Sequence, residues 1–69
     1  MTREVPIEGY VIRLGQLLKV AGVVGAGGEV KVLLTTEPVL VNGEPEQRRG
    51  RQLHPGDVVQ VRGQELRVV

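Results

Sequence analysis

An α+β fold, with two N-terminal helices packed on a small, mainly antiparallel sheet, is predicted by two features of the chain. Apolar residues first recur at helical spacing, at Leu14, Leu17, Leu18 and Ala21 and again at Val30, Leu33 and Leu34; later they cluster as short β-branched runs at Val39 to Val41 and at Val58, Val59 and Val61. Helices first and strands after argue for segregated layers rather than an alternating parallel sheet. The second feature is a pair of turn signals, Asn42-Gly43 and Pro55-Gly56. Asn and Gly adopt positive φ at low cost, as a tight hairpin needs, and Pro followed by Gly suits a type II turn.

In chain order, residues 1–13 hold Val5, Ile7, Val11 and Ile12 interrupted by Pro6 and Gly9, which allows at most a short edge strand. Leu14, Leu17, Leu18 and Ala21 fall at i, i+3, i+4 and i+7 and so share one helical face, while Lys19 falls off that stripe and is expected to face solvent or a ligand. Gly22 ends the helix, and the glycines through Gly28 read as a loop. A second helix is expected over residues 29–36, with Glu29 in the first turn, where the helix dipole favours negative charge, and Lys31 outward. Pro38 cannot continue it. After the extended segment 39–41 and its turn, residues 44–53 are polar until Leu53, which is expected to pack back on the core. Val58 to Val61 read as a strand, Gly63 as a turn, and Leu66 and Val68 as a last strand.

At 69 residues the chain is expected to form one domain, residues 1–69, burying only about 60% of its unfolded surface. It has no cysteine, which removes disulfides, thiol nucleophiles and cysteine metal sites, and no serine; with one His and one Asp, catalytic triads are excluded and no enzyme is expected. His54, beside Pro55, reads as a turn residue, so neither a metal nor any other cofactor is expected. No apolar run approaches membrane-spanning length, and Arg3, Glu4 and Pro6 lack the form of a signal peptide, which leads to the expectation of a cytoplasmic, monomeric protein.

Net charge is only +1, but it is unevenly spread: residues 37–47 carry Glu37, Glu44 and Glu46 with no base, whereas residues 48–69 carry five arginines against Asp57 and Glu65. Arg48, Arg49 and Arg51 offer forked, permanently charged donors that match phosphate oxygens. The residues alone leave open whether they form a phosphate site or a solvated, salt-bridged loop with Glu44 and Glu46 as partners. The glycines at 25, 27 and 28 match neither the dinucleotide fingerprint nor the phosphate loop. Tyr10 is the sole aromatic, which weighs against any module that binds single-stranded nucleic acid by stacking bases on aromatic platforms.

Taken in order, Ile12-Arg13-Leu14-Gly15-Gln16-Leu17-Leu18-Lys19, Gly28-Glu29-Val30-Lys31, Val39-Leu40-Val41-Asn42-Gly43-Glu44, Arg48-Arg49-Gly50-Arg51-Gln52-Leu53 and Pro55-Gly56-Asp57-Val58-Val59 resemble the S-four-type RNA-binding domain. That module is named for the fourth protein of the small ribosomal subunit. The resemblance covers residues 12–62, and the whole chain is similar to the short standalone, YbcJ-type members. It implies an αL-type fold that holds structured RNA, ribosomal or transfer RNA, across the exposed helical face and nearby loops. Carried onto this chain, the implied contacts are Arg13, Lys19, Gly27, Gly28, Lys31, Asn42, Arg48, Arg49 and Arg51. The chain departs from the pattern at Ala26, where many members have a hydroxyl cap, and at Glu37-Pro38, where members often have Gly.

Two other classes remain as alternatives. A ubiquitin-like sulfur carrier also combines a Val-Asn-Gly turn with a late Gly-Asp-Val segment, but it acts through a C-terminal Gly-Gly, whereas this sequence ends Arg67-Val68-Val69. A protein-interaction module would use the same arginines against an acidic partner.

Overall fold

In the computed structural model, which describes residues 2–69, two helices and a mainly antiparallel sheet enclose one apolar core, as the α+β pattern requires. The elements run β1 (Thr2–Val5), β2 (Ile12–Arg13), α1 (Leu14–Val20), α2 (Gly27–Thr36), β3 (Val39–Val41), β4 (Glu44–Pro45), β5 (Gln52–Leu53), β6 (Val58–Val61) and β7 (Gln64–Val68). The main sheet has the order β1-β7-β6-β3-β4, and a separate two-stranded ladder joins β2 to β5. Among the described residues only the β1–β7 pair is parallel. The N-terminal segment thus supplies the expected edge strand, although Met1 lies outside the described residues.

The helical stripes face inward as their spacing requires: Leu14, Leu17 and Leu18 of α1 and Val30, Leu33 and Leu34 of α2 are buried. They meet Val39 and Val41, Val59 and Val61, and Leu66 and Val68, alternate residues that each strand turns toward one face. Leu53 is fully buried, as its place after a polar segment suggests.

Glycine ends α1 through a Schellman motif. Gly22 has φ +76°, its N–H donates to the Lys19 carbonyl, and the N–H of Val23 donates to that of Leu18. The second helix starts two residues earlier than its apolar stripe indicates, so Gly27 and Gly28 form its first turn rather than a loop. Ala26, the residue before it, has no side chain that could cap the helix. Instead Glu29 reaches back from that first turn and accepts the N–H of Gly25 at 3.2 Å.

Two hairpins close on turns with positive φ at both central residues, Asn42-Gly43 between β3 and β4 and Arg62-Gly63 between β6 and β7. The Pro55-Gly56 turn also forms, with Gly56 at φ +100° and the Asp57 N–H donating to the His54 carbonyl. The segment 44–53, read from sequence as polar until Leu53, is pinned at both ends, by β4 on β3 and by β5 on β2.

Candidate functional site

The arginine turn is built around one carboxylate. Glu46 is the one buried charged residue among those described, 8% exposed, and its N–H donates to the Val39 carbonyl, which fixes it to the sheet. Its Oε2 accepts the backbone N–H groups of Gln47 and Arg48 and the Nε of Arg48; its Oε1 accepts Arg48 Nη2 at 3.0 Å and Arg51 Nη1 at 2.9 Å. Donors from Arg48 first and Arg51 second hold the Glu46 carboxyl far below the usual carboxylate range. Of the two acids the sequence offered as partners, Glu46 takes this role and Glu44 makes no salt bridge among the described residues.

This turn also completes α1. A helix leaves its first N–H groups without intrahelical partners, and no side chain caps α1. The Leu14 N–H donates to the Arg51 carbonyl at 2.8 Å and the Gly15 N–H to the Arg49 carbonyl at 2.9 Å. The turn can approach this closely because residue 15 is glycine: a Cβ there would lie 3.1 Å from Val30 Cγ1 and 3.4 Å from Arg49 Cβ. The Ile12–Leu53 and Arg13–Gln52 pairs anchor the far side of the segment.

The consequence is a division among the basic residues. Arg48 and Arg51 are engaged by Glu46, whereas Arg13, Lys19, Lys31 and Arg49 make no salt bridge among the described residues. These four meet around two shallow grooves. Arg13, Lys19, Gly27, Arg49 and Gly50 line the first, between α1 and the start of α2. Lys31, Leu34, Thr35, Gln47 and Arg49 line the second. Arg49 belongs to both, and among the described residues no carboxylate lines either. Gly28 lies beside Gly27 in the first turn of α2, with open space where its Cβ would stand.

Asn42 lies elsewhere and lines neither groove. Its Nδ2 donates to Asp57 Oδ1 at 3.0 Å, and its Oδ1 accepts the Val58 N–H at 2.9 Å, which ties the β3–β4 turn to the Pro55-Gly56 turn. Asp57 Oδ2 also accepts the His54 N–H at 2.7 Å. Although partial burial opposes it, these donors lower the Asp57 carboxyl. Among the described residues no cluster of His, Asp or Glu is arranged to hold a metal ion.

Sequence reasoning singled out no role for Arg62. Its guanidinium spans Glu37, with Nη2 to Oε2 at 2.8 Å, and donates from Nη1 to the Val23 carbonyl at 3.0 Å, tying the β6–β7 turn to the end of α2 and to the loop between the helices. The usable signal was its place before Gly63 in a turn; its partner stands 25 positions away.

The family model described as the S4 domain matches residues 5–69. A Bacillus subtilis (strain 168) protein described as "Probable ribosome maturation protein RlbA" is 48% identical over 63 residues, which cover 91% of this chain and 89% of that protein.

Proposed function

Because the chain belongs to the S4 domain family, we propose that it is a non-catalytic RNA-binding protein that acts on the ribosome or its precursors, gripping structured RNA through phosphates. The observation that carries this reading is the pair of grooves sharing Arg49, lined by four basic side chains without salt bridges and by no carboxylate among the described residues. Cations already neutralised by a protein carboxylate gain little from a phosphate, whereas free ones release the counterions condensed on RNA when they bind. The relative's description as a ribosome maturation protein supports ribosomal RNA as the ligand.

Within the proposed interface the roles differ. Arg13, Lys19, Lys31 and Arg49 contact phosphates directly. Gly27 and Gly28 leave room for the RNA backbone to come close to the first turn of α2. Arg48 and Arg51 shape the turn that presents Arg49, with the exposed part of Arg48 adding to the positive rim, and Asn42 holds the neighbouring turns in register.

Binding of a structured ribosomal RNA fragment, titrated at several salt concentrations, tests the proposal. Arg49→Ala is expected to weaken binding about tenfold, as loss of a charge-assisted contact does, and to make the log–log salt slope shallower by about 0.7–0.9. Combining it with Lys19→Ala and Lys31→Ala is expected to remove most of the salt dependence. A triple variant that keeps the parent's affinity and slope would overturn the assignment.

A further inference from the structure

The one aromatic residue of the chain is placed where an apolar side chain gains nothing from folding. Tyr10 is 74% exposed, on the segment that leads into β2, and its ring lies 5.4 Å from that of His54 at an interplanar angle of 56°. Val11 beside it is also exposed. Asp57 fixes the backbone at His54 by accepting its N–H, and the ring's Nδ1 lies 3.8 Å from Asp57 Oδ2. The pair therefore forms a small, positioned ring surface open to solvent.

Its position relative to the grooves is set by the β2–β5 ladder. Ile12 and Leu53 pair and face inward, so their neighbours Arg13 and Gln52 face outward, and His54, next after Leu53, is exposed on the same side of the alternation. Arg13 and His54 thus share one outward face, with the Tyr10 ring against His54 at its edge, and Arg13 already lines the groove with Lys19 and Arg49. Tyr10 stands three residues before Arg13, so the two lie within about 10 Å of each other along the chain, no more than about the rise of three stacked nucleotides.

We propose that Tyr10 and His54 form a stacking subsite for one unpaired nucleobase of the RNA whose phosphates lie on Arg13, Lys19 and Arg49; this rests on the RNA-binding reading above. An aromatic face accepts any base, so the subsite selects for an unpaired nucleotide beside a helix rather than for a sequence. It distinguishes a paired stem from a stem with a neighbouring single-stranded base, which charge alone does not.

Two RNAs test this, a blunt hairpin and the same hairpin with a short single-stranded extension. With no Trp and a single Tyr in the chain, intrinsic fluorescence reports on Tyr10 alone. Quenching by the extended hairpin but not by the blunt one is expected. Tyr10→Ala should lower affinity for the extended hairpin roughly tenfold, within the range for loss of one stacked base. It should leave the blunt hairpin and the salt slope unchanged, and Tyr10→Phe should restore the preference. If Tyr10→Ala binds both RNAs like the parent while Arg49→Ala weakens both, the subsite is refuted and the phosphate-binding reading stands. If the parent binds neither RNA, both fall. Tyr10→Ala that keeps every RNA affinity but loses a protein partner would assign the ring pair to a protein contact and overturn the proposal.

Discussion

The turns at residues 48–51 and 61–64 each present an arginine, and the two arginines have opposite fates. Arg62 reaches over to Glu37 and the Val23 carbonyl, and its charge is used to join three segments of the fold. In the other turn, Arg48 and Arg51 are drawn onto the buried Glu46, and this leaves Arg49 beside the lysines of both helices with no carboxylate partner among the described residues. Both turns are basic in sequence. What separates an anchoring cation from one left for a ligand in the proposed interface is whether the fold brings an acid to it, so the count of arginines locates nothing until the acids have been paired off.

Substituting the hub should blur the contrast most. Glu46→Gln removes the charge that Arg48 and Arg51 share and is expected to give the largest loss of stability of the changes considered, read as a lower urea midpoint at pH 7. It also frees two cations, so the salt slope for RNA should steepen by about one to two, at 0.7–0.9 per added phosphate contact. An unchanged slope would show that Arg48 and Arg51 already meet phosphate in the parent. The pH dependence has a definite sign. A carboxyl whose folded pKa is depressed stabilises the fold fully above its unfolded value, about 4.3 for Glu, and that contribution is lost as pH falls through the folded value. The parent should therefore lose stability progressively below about pH 4.5. Glu46→Gln should remove the largest part of that loss, leaving the smaller parts from Glu37 and Asp57, whose carboxyls are also lowered.

The opposite turn provides the converse test. Arg62→Asn keeps a residue that tolerates the positive φ at this position and deletes only the guanidinium. Stability should fall less than in Glu46→Gln, because the Arg62–Glu37 pair is exposed and screened by solvent. RNA affinity and salt slope should match the parent's. A shallower slope in Arg62→Asn would place the β6–β7 turn on the RNA and remove the distinction between the two arginines.

Features encoded within a few residues were legible in the sequence. The stripes of Leu14, Leu17 and Leu18 and of Val30, Leu33 and Leu34 turned inward as read, and Asn42-Gly43 and Pro55-Gly56 made the expected turns, because spacing and local φ preference decide such features. Contacts between distant segments were not. The β2–β5 ladder joins pairs of residues about forty positions apart, too short for any periodicity to register. The parallel pairing of β1 with β7 and the reach of Arg62 to Glu37 depend equally on tertiary closure. The same limit applied to the site. Sequence placed Arg48, Arg49 and Arg51 together with equal weight, and only the burial of Glu46 between Val39 and the arginine turn separates Arg49 from its neighbours.

Asn42 carries the comparison to its smallest effect. The family resemblance puts it among the RNA contacts, yet both ends of its amide are engaged, Nδ2 by Asp57 and Oδ1 by the Val58 N–H. Asn42→Gly preserves the positive φ that the hairpin needs and removes those two hydrogen bonds. At roughly 0.5–1.5 kcal/mol for each net hydrogen bond, a loss of about 1–3 kcal/mol in unfolding free energy is expected. RNA affinity should stay within about twofold, because the side chain lies outside both grooves. The reverse pattern, unchanged stability with a tenfold weaker complex, would mean that RNA takes the amide from Asp57 on binding. The interface would then extend from Arg49 to the far end of the sheet, and engagement within the fold would no longer separate a structural polar group from a contacting one.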